Sequence, residues 1–274
     1  MQVIERNDVY IVVPALNEAL RIRGVVEGAL RECPNVILVD DGSDDGTGEQ
    51  ISDLPVIVLR HAQRMGKGAA LRDGFAEALR RGARGIITMD GDGQHDAADI
   101  PRLVDAANAD PDHIVIGARL RKRAAQPGYR RLANEFGDWG ISWGCGFLVA
   151  DTQSGQRFYP AKVAQLGDVP GEDFVFEAQI LITAARQLGV RCVSVPIESR
   201  YQGVEPEGPQ FRKSHFRPLR DLWRITSHVV KQVWGYGNVM REYRVTRANP
   251  PVIHDPSGEF ASAPGLRDAV GRNA

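Results

Sequence analysis

Short, β-branched apolar runs alternate with amphipathic stretches along most of this chain, and that alternation leaves few folds open. Residues 9–14 form a continuous apolar run closed by Pro14, the pattern of a strand buried on both faces. Runs at 36–39, 56–59, 85–89 and 114–117 repeat it. Helical stretches are expected over 18–31, with the Asn17 side chain as its cap, and from Gly66-Lys67-Gly68 to about Arg81. Strands and helices at this spacing predict a Rossmann-like α/β fold, with a mostly parallel sheet flanked by helices and right-handed crossovers. A chain of 274 residues suits one such domain with a C-terminal extension.

The ends of these strands carry the chemistry. Directly behind the run 85–88 stands Met89-Asp90-Gly91-Asp92-Gly93-Gln94-His95-Asp96. A strand ending in Asp-x-Asp presents two carboxylates at the edge where open sheets place ligands. Gly91 and Gly93 leave the backbone accessible, and hard oxygens with Gln94 nearby suit Mg²⁺ or Mn²⁺ shared with substrate phosphates. An acidic loop that caps the next helix is the alternative. The run 36–39 ends in Asp40-Asp41-Gly42-Ser43-Asp44-Asp45-Gly46-Thr47, four aspartates in six residues, which repel one another unless cations or donors sit among them. Lys67, flanked by glycines at a helix start, can reach a phosphate or can be a solvated helix-end charge. It is not a Walker A lysine, because Gly68 follows it.

Five segments in this order resemble glycosyltransferase family 2, of GT-A fold, and most of all its dolichyl- and polyprenyl-phosphate sugar transferase branch. They are Val13-Pro14-Ala15-Leu16-Asn17-Glu18, Asp40-Asp41-Gly42-Ser43-x-Asp45-Gly46-Thr47, Gly66-Lys67-Gly68-Ala69-Ala70, Met89-Asp90-Gly91-Asp92-x-Gln94-His95 and Gly117-Ala118-Arg119. The resemblance covers roughly residues 7–200. It implies metal-dependent, inverting transfer of a sugar from a nucleotide diphosphate sugar to a lipid-linked polyprenyl phosphate. Carried over residue by residue, Pro14 and Glu18 line the nucleoside pocket, Asp40 reads the base and Asp41 lies near the ribose. Asp90, Asp92 and Gln94 hold the metal beneath the diphosphate, and Lys67, Asp90, Gly91 and Arg200 complete the donor site. Asp92 and Asp173 are the catalytic candidates, and Arg119, Arg131 and Arg157 those for the acceptor.

Charge placement bears on the acceptor. Six basic residues and no acidic one lie between Arg119 and Arg131, an arrangement that asks for an anionic partner or for full solvation. Against a phosphate acceptor stands Glu172-Asp173, because a hydroxyl acceptor needs a general base and an ionised phosphate needs none. Gln156 also stands where the branch has Phe, and Lys213-Ser214 reverses its usual order. A family 2 transferase to a hydroxyl of a lipid or glycan is therefore the runner-up. A sugar-1-phosphate nucleotidyltransferase would need a glycine-rich loop after the first strand, and a non-catalytic binding subunit has no need of Asp40, Asp90 and Asp92 together.

The domain reading is a GT-A catalytic domain over 1–211, a basic amphipathic helical extension over 212–248, and a disordered tail over 249–274 rich in Pro and Gly. Phe216, Leu219, Leu222, Trp223, Val230, Val233 and Trp234 recur at helical spacing beside a stripe of Arg217, Arg220, Arg224, His228 and Lys231. Such a helix lies in a membrane interface or packs on the catalytic domain. Net charge −1 gives no footing for nucleic acid. Three scattered cysteines, no signal peptide and no span of ~20 apolar residues point to a cytoplasmic enzyme, either free or peripheral on the cytoplasmic face of a membrane.

Overall fold

The computed structural model describes residues 3–120, 128–170, 174–197 and, apart from 228, 231–232 and 236, 227–258; for 128–136 and 174 it describes the backbone alone. The expected alternation is present as β1 (Val9–Ala15), α1 (Ile22–Glu32), β2 (Val36–Asp40), β3 (Ile57–Arg60), α2 (Lys67–Arg80), β4 (Gly85–Thr88), α3 (Ile100–Ala109) and β5 (Ile114–Ala118). Then follow α4 (Gly128–Cys145), β6 (Arg157–Pro160), α5 (Ala161–Ala164), α6 (Phe174–Leu188), β7 (Cys192–Pro196), α7 (Val239–Ala248) and β8 (Val252–Ile253).

Among the described residues the strands form one sheet of order β3-β2-β1-β4-β6-β5-β7-β8. All pairings are parallel except those of β6, which runs antiparallel between β4 and β5. Thr88 at the end of β4 therefore lies opposite Arg157 at the start of β6. The segment before β6 thus arrives at the same sheet edge as the ends of β1, β2 and β4.

Strand alternation feeds a core on each face. Val12, Ile37, Val39 and Ile86 pack with Leu71 and Phe75 of α2 and Phe176 and Ile180 of α6. Ile11, Val13, Leu38 and Ile87 pack with Ile22 and Val26 of α1 and Leu103 of α3. Cys33, Cys145 and Cys192 are buried and unpaired, and burial pushes the Cys192 thiol up to about 12.

Three expectations change. Helix α1 starts at Ile22, not Glu18, because Asn17 adopts a left-handed conformation (φ 56°) and its side chain accepts from the Asp44 N–H instead of capping a helix. The tail does not begin at Asn249, since Val193 and Ser194 of β7 pair with Val252 and Ile253; residues 259–274 lie outside the described residues. In the extension, Val229 and Val233 are buried in the core whereas Val230 and Trp234 are exposed. The rest of that amphipathic pattern, from Phe216 to Arg224 with His228 and Lys231, and the boundary at 211 lie outside the described residues.

Helix α2 can sit on the sheet only because Gly74 faces β1. A Cβ there would overlap Val12 Cγ1 and come within 3.3 Å of Val39 Cγ2. Gly74→Ala is expected to cost about 1–3 kcal/mol by overpacking, and to lower Tm by roughly 2–10 °C. Gly24→Ala, in open space on α1, should gain about 0.5–1 kcal/mol. Thermal unfolding of both variants checks the pair, and a neutral Gly74→Ala would contradict this packing.

Candidate active site

Two loops at the sheet edge are tied to each other by the acidic motif after β2. Asn17 N–H donates to Ser43 Oγ (3.0 Å), Glu18 N–H to Thr47 Oγ1 (2.8 Å) and Ala19 N–H to Asp45 Oδ2 (3.0 Å). Most of the aspartate run is thus neutralised by main-chain donors. The Asp45 carboxyl feels burial that would raise its pKa, but hydrogen bonds from the Thr47 hydroxyl and the Ala19 and Thr47 N–H groups hold it below the usual range. Glu18 is buried at this junction, and Pro14 lies in β1 with its carbonyl against Gly91. A side chain at Gly91 would meet Ala15, Pro14 and Ile22, so the glycine lets this loop lie flat on β1.

Asp40 is fully buried at the end of β2. Its Oδ1 accepts from Ser43 N–H (2.9 Å), while Oδ2 accepts no hydrogen bond among the described residues and lies 3.5 Å from Arg60 Nε. Beside it Gly42, Ser43, Arg60, His61 and Ala62 line a cleft of about 300 Å³. A buried carboxylate oxygen with unfilled acceptor capacity beside a cleft is suited to receiving a ligand N–H.

Asp41 is committed differently. Its carboxylate accepts from Met65 N–H (2.7 Å) and Gly66 N–H (2.8 Å) and contacts His61 Nδ1 (2.7 Å). The other ring nitrogen of His61 lies 2.9 Å from Asp73 Oδ2. Asp41 therefore fastens the loop that leads into α2 and presents Lys67 at its first position.

Lys67 Nζ stands 2.7 Å from Asp90 Oδ1 and 3.1 Å from Glu177 Oε2 of α6. His95 Nε2 approaches Asp90 Oδ2 at 3.3 Å. Gly155 lies against the same carboxylate so closely that any side chain there would overlap it. Thr88 Oγ1 donates to the Gly155 carbonyl (2.7 Å), and Gln156 Nε2 to the Asp96 carbonyl (3.0 Å), so the segment before β6 clamps the Asp90–Asp96 loop. Burial alone would lower the Lys67 pKa and raise that of Asp90. Their mutual attraction outweighs it, leaving Lys67 above and Asp90 well below the ordinary value. Lys67 is thus no solvated helix-end charge.

Asp92 is half-buried and accepts from Gln94 N–H (3.0 Å), whereas Gln94 is exposed. Among the described residues no three His, Cys, Asp or Glu side chains gather as a ligand cluster. Asp90 and Asp92 still supply hard oxygens on one loop, a donor set that fits Mg²⁺ or Mn²⁺ when substrate phosphates fill the remaining positions.

The acceptor candidates fare unevenly. Arg157 is corrected from an acceptor ligand to a buried strut. It is 1 % exposed, and it donates to the Ser154, Glu177 and Thr152 carbonyls and to Tyr159 Oη (2.7, 3.0, 2.6 and 3.1 Å). A guanidinium so engaged has little left to offer an anion. Arg119 forms a two-pronged pair with Asp151 (2.7 and 2.6 Å), with its own N–H on the same carboxylate. Asp173, Arg200, the basic residues 121–123 and the side chain of Arg131 lie outside the described residues. His61, Glu177 and Gly155 are the site residues that sequence reasoning missed. Gly155 directly precedes Gln156 and Glu177 lies four residues after Asp173, whereas His61 carries no local signal.

Comparison with known proteins agrees with this geometry. The model described as "Glycosyl transferase family 2" matches residues 10–162. Polyprenol monophosphomannose synthase of Mycolicibacterium smegmatis is 30% identical over 228 residues, covering 76% of this chain and 84% of that protein. Undecaprenyl-phosphate mannosyltransferase of Micrococcus luteus is 30% identical over 68% of this chain and 81% of its own length. Among solved structures, glucosyl-3-phosphoglycerate synthase of Mycobacterium tuberculosis, in complex with Mn²⁺, UDP and glucosyl-3-phosphoglycerate, shares the fold (TM-score 0.56, 20% identity, 83% of this chain and 78% of that one).

The Asp41–His61–Asp73 clamp predicts a pH dependence. Burial lowers the imidazole pKa, but the two carboxylates outweigh it and raise it. A raised pKa contributes stability that is fully present below about pH 6.5 and is lost as pH rises through the folded-state value. The stability gap between the parent and His61→Gln should therefore narrow from pH 6 to pH 9. Urea unfolding across that range measures it, and a gap that widens would contradict the clamp.

Proposed function

The chain belongs to glycosyl transferase family 2, and we propose that it moves a sugar from a nucleotide diphosphate sugar to a polyprenyl phosphate, inverting the anomeric centre, with Mg²⁺ or Mn²⁺ as cofactor. The carrying observation is the convergence of Asp40, Lys67 and Asp90 at one sheet edge. Asp40 offers its open oxygen to a base N–H, and a base unable to donate there would leave that carboxylate unsatisfied. Asp90, Asp92 and Gln94 face the diphosphate. The cation, when bound, stabilises the charge that develops on the departing diphosphate. An acceptor phosphate oxygen attacks the anomeric carbon opposite the bond to the diphosphate, which breaks and releases the nucleoside diphosphate. That oxygen is already ionised, so no protein group need remove a proton.

The acceptor assignment draws on the relatives whose names specify polyprenol and undecaprenyl phosphate, and on the run of basic residues from Arg119 to Arg131. A hydroxyl acceptor is the second reading, favoured by Glu172-Asp173 immediately before the first residue of α6, Phe174. Transfer assays with UDP- and GDP-sugars against polyprenyl phosphate and neutral glycolipids decide between them. The proposed reading expects Asp173→Asn to keep its rate within a few-fold. The second expects a loss of about 10²- to 10⁴-fold.

We further propose that the enzyme works from the cytoplasmic face of a membrane. No helix of the described residues is long and apolar enough to cross one. The support for peripheral attachment is α7. Its Met240, Arg241, Arg244, Val245 and Arg247 are exposed, while Glu242 turns inward to Arg186 (2.8 Å). Tyr243 reaches the exposed Trp139 of α4 (6.5 Å between ring centroids), and Trp234 is 73 % exposed. An outward face of Arg, Met, Val and Trp without acids suits an anionic lipid surface. Replacing Arg241, Arg244 and Arg247 by Ala should abolish co-sedimentation with phosphatidylglycerol vesicles in 0.1 M salt, at about 1 kcal/mol per arginine. Undiminished binding by that variant would sink this placement.

A further inference from the structure

Lys67 is held by two carboxylates that have different prospects. Asp90 lies on the loop assigned to the cation and the diphosphate, whereas Glu177 belongs to α6. The start of α6 is pinned independently, because the Glu177 carbonyl accepts from the buried Arg157 (3.0 Å). Both oxygens of Asp90 are already approached, Oδ1 by Lys67 Nζ (2.7 Å) and Oδ2 by His95 Nε2 (3.3 Å), and Gly155 closes the space behind. An ammonium in contact with a carboxylate oxygen competes directly with a cation for that oxygen.

We propose that Lys67 is a resident counter-ion, occupying Asp90 until the donor's diphosphate and its cation arrive together, and that Glu177 is the positioning residue that keeps Lys67 paired once Asp90 is handed over. The proposal rests on the reading of Asp90 and Asp92 as the cation's carboxylates. Displacing a half-buried ammonium from Asp90 without another carboxylate to receive it would cost free energy. Glu177, at 3.1 Å, is near enough to retain it with little movement. The incoming diphosphate offers Lys67 a second anion on the same side. The exchange moves no proton and breaks no covalent bond. It makes the cation a weak ligand of the empty protein and a tight one of the nucleotide complex.

The test titrates Mn²⁺, followed by the electron paramagnetic resonance of the free ion, into the purified full chain with and without UDP or GDP. Lys67→Met should bind Mn²⁺ in the absence of nucleotide at least about tenfold more tightly than the parent, within the ~5- to 150-fold range of such couplings. Lys67→Arg, which keeps the charge, should show no such gain. Glu177→Gln should weaken Mn²⁺ binding several-fold in the presence of nucleotide, because Lys67 then leaves Asp90 without that carboxylate to receive it. Circular dichroism and Tm establish that each variant is folded. A folded Lys67→Met whose nucleotide-free Mn²⁺ affinity equals or falls below the parent's overturns the proposal. Asp92→Ala separates the two failures. If nucleotide-dependent Mn²⁺ binding survives that change, the underlying assignment of the cation site fails, whatever Lys67 does.

Discussion

An ionised carboxylate drawn partly out of bulk water costs free energy unless charges and donors replace the lost solvent, and the half-buried Asp90 is in that position. Four separate segments converge to meet the cost. Helix α2 brings Lys67, the loop after β4 folds His95 back, the segment before β6 supplies the side-chain-free Gly155, and α6 adds Glu177 behind the lysine. None can shift alone without stranding a charge or creating an overlap. The placement of α2 and α6 over the same edge of the sheet follows from this local neutrality as much as from the apolar packing of Phe75 against Phe176.

Much of what looks like ligand-binding acidity is architectural. Asp41 closes the loop 61–66, and Asp45 and Asp138 accept from main-chain N–H groups (Asp138 from Thr152, 2.7 Å). Asp40 differs in keeping one oxygen without a hydrogen bond among the described residues, and Asp90 in being held by the Lys67 and His95 side chains instead of main-chain donors. A site built this way binds with little reorganisation, because the supporting hydrogen bonds exist before any ligand enters.

The sequence was most legible where burial on both faces imposed a continuous apolar run. The runs at 9–14, 36–39 and 114–117 lie within a residue of β1, β2 and β5, and that at 56–59 is one residue early for β3. β6 escaped notice because it opens on an arginine, spans four residues and ends in Pro160. Arg157 was misread for a related reason. An arginine in a polar segment suggests an anion, and only the tertiary structure reveals the carbonyls waiting for it. Asn17 looked like a cap because its left-handed turn depends on Ser43 and Asp44, residues 26 and 27 positions away. The partnerships of Lys67 with Glu177 and of Asp90 with Gly155 span more than 60 residues and leave no trace in local pattern. The family resemblance placed the motifs; it did not say which of their side chains are struts.

The antiparallel insertion of β6 also has an evolutionary meaning. The contacts around Asp40, from Asn17 to Gly66, lie within the first half of the chain. The second half joins the first through the β4–β6 ladder, through a core that α6 shares with α2, and through the ties of Lys67 to Glu177, Asp90 to Gly155, Thr88 to Gly155 and Asp96 to Gln156. The loops around Asp40 are self-contained, whereas the Lys67–Asp90 site is assembled from both halves. Change beyond residue 118 leaves the Lys67–Asp90 site whole only if Gly155 before β6 and Glu177 on α6 are inherited with it as a set.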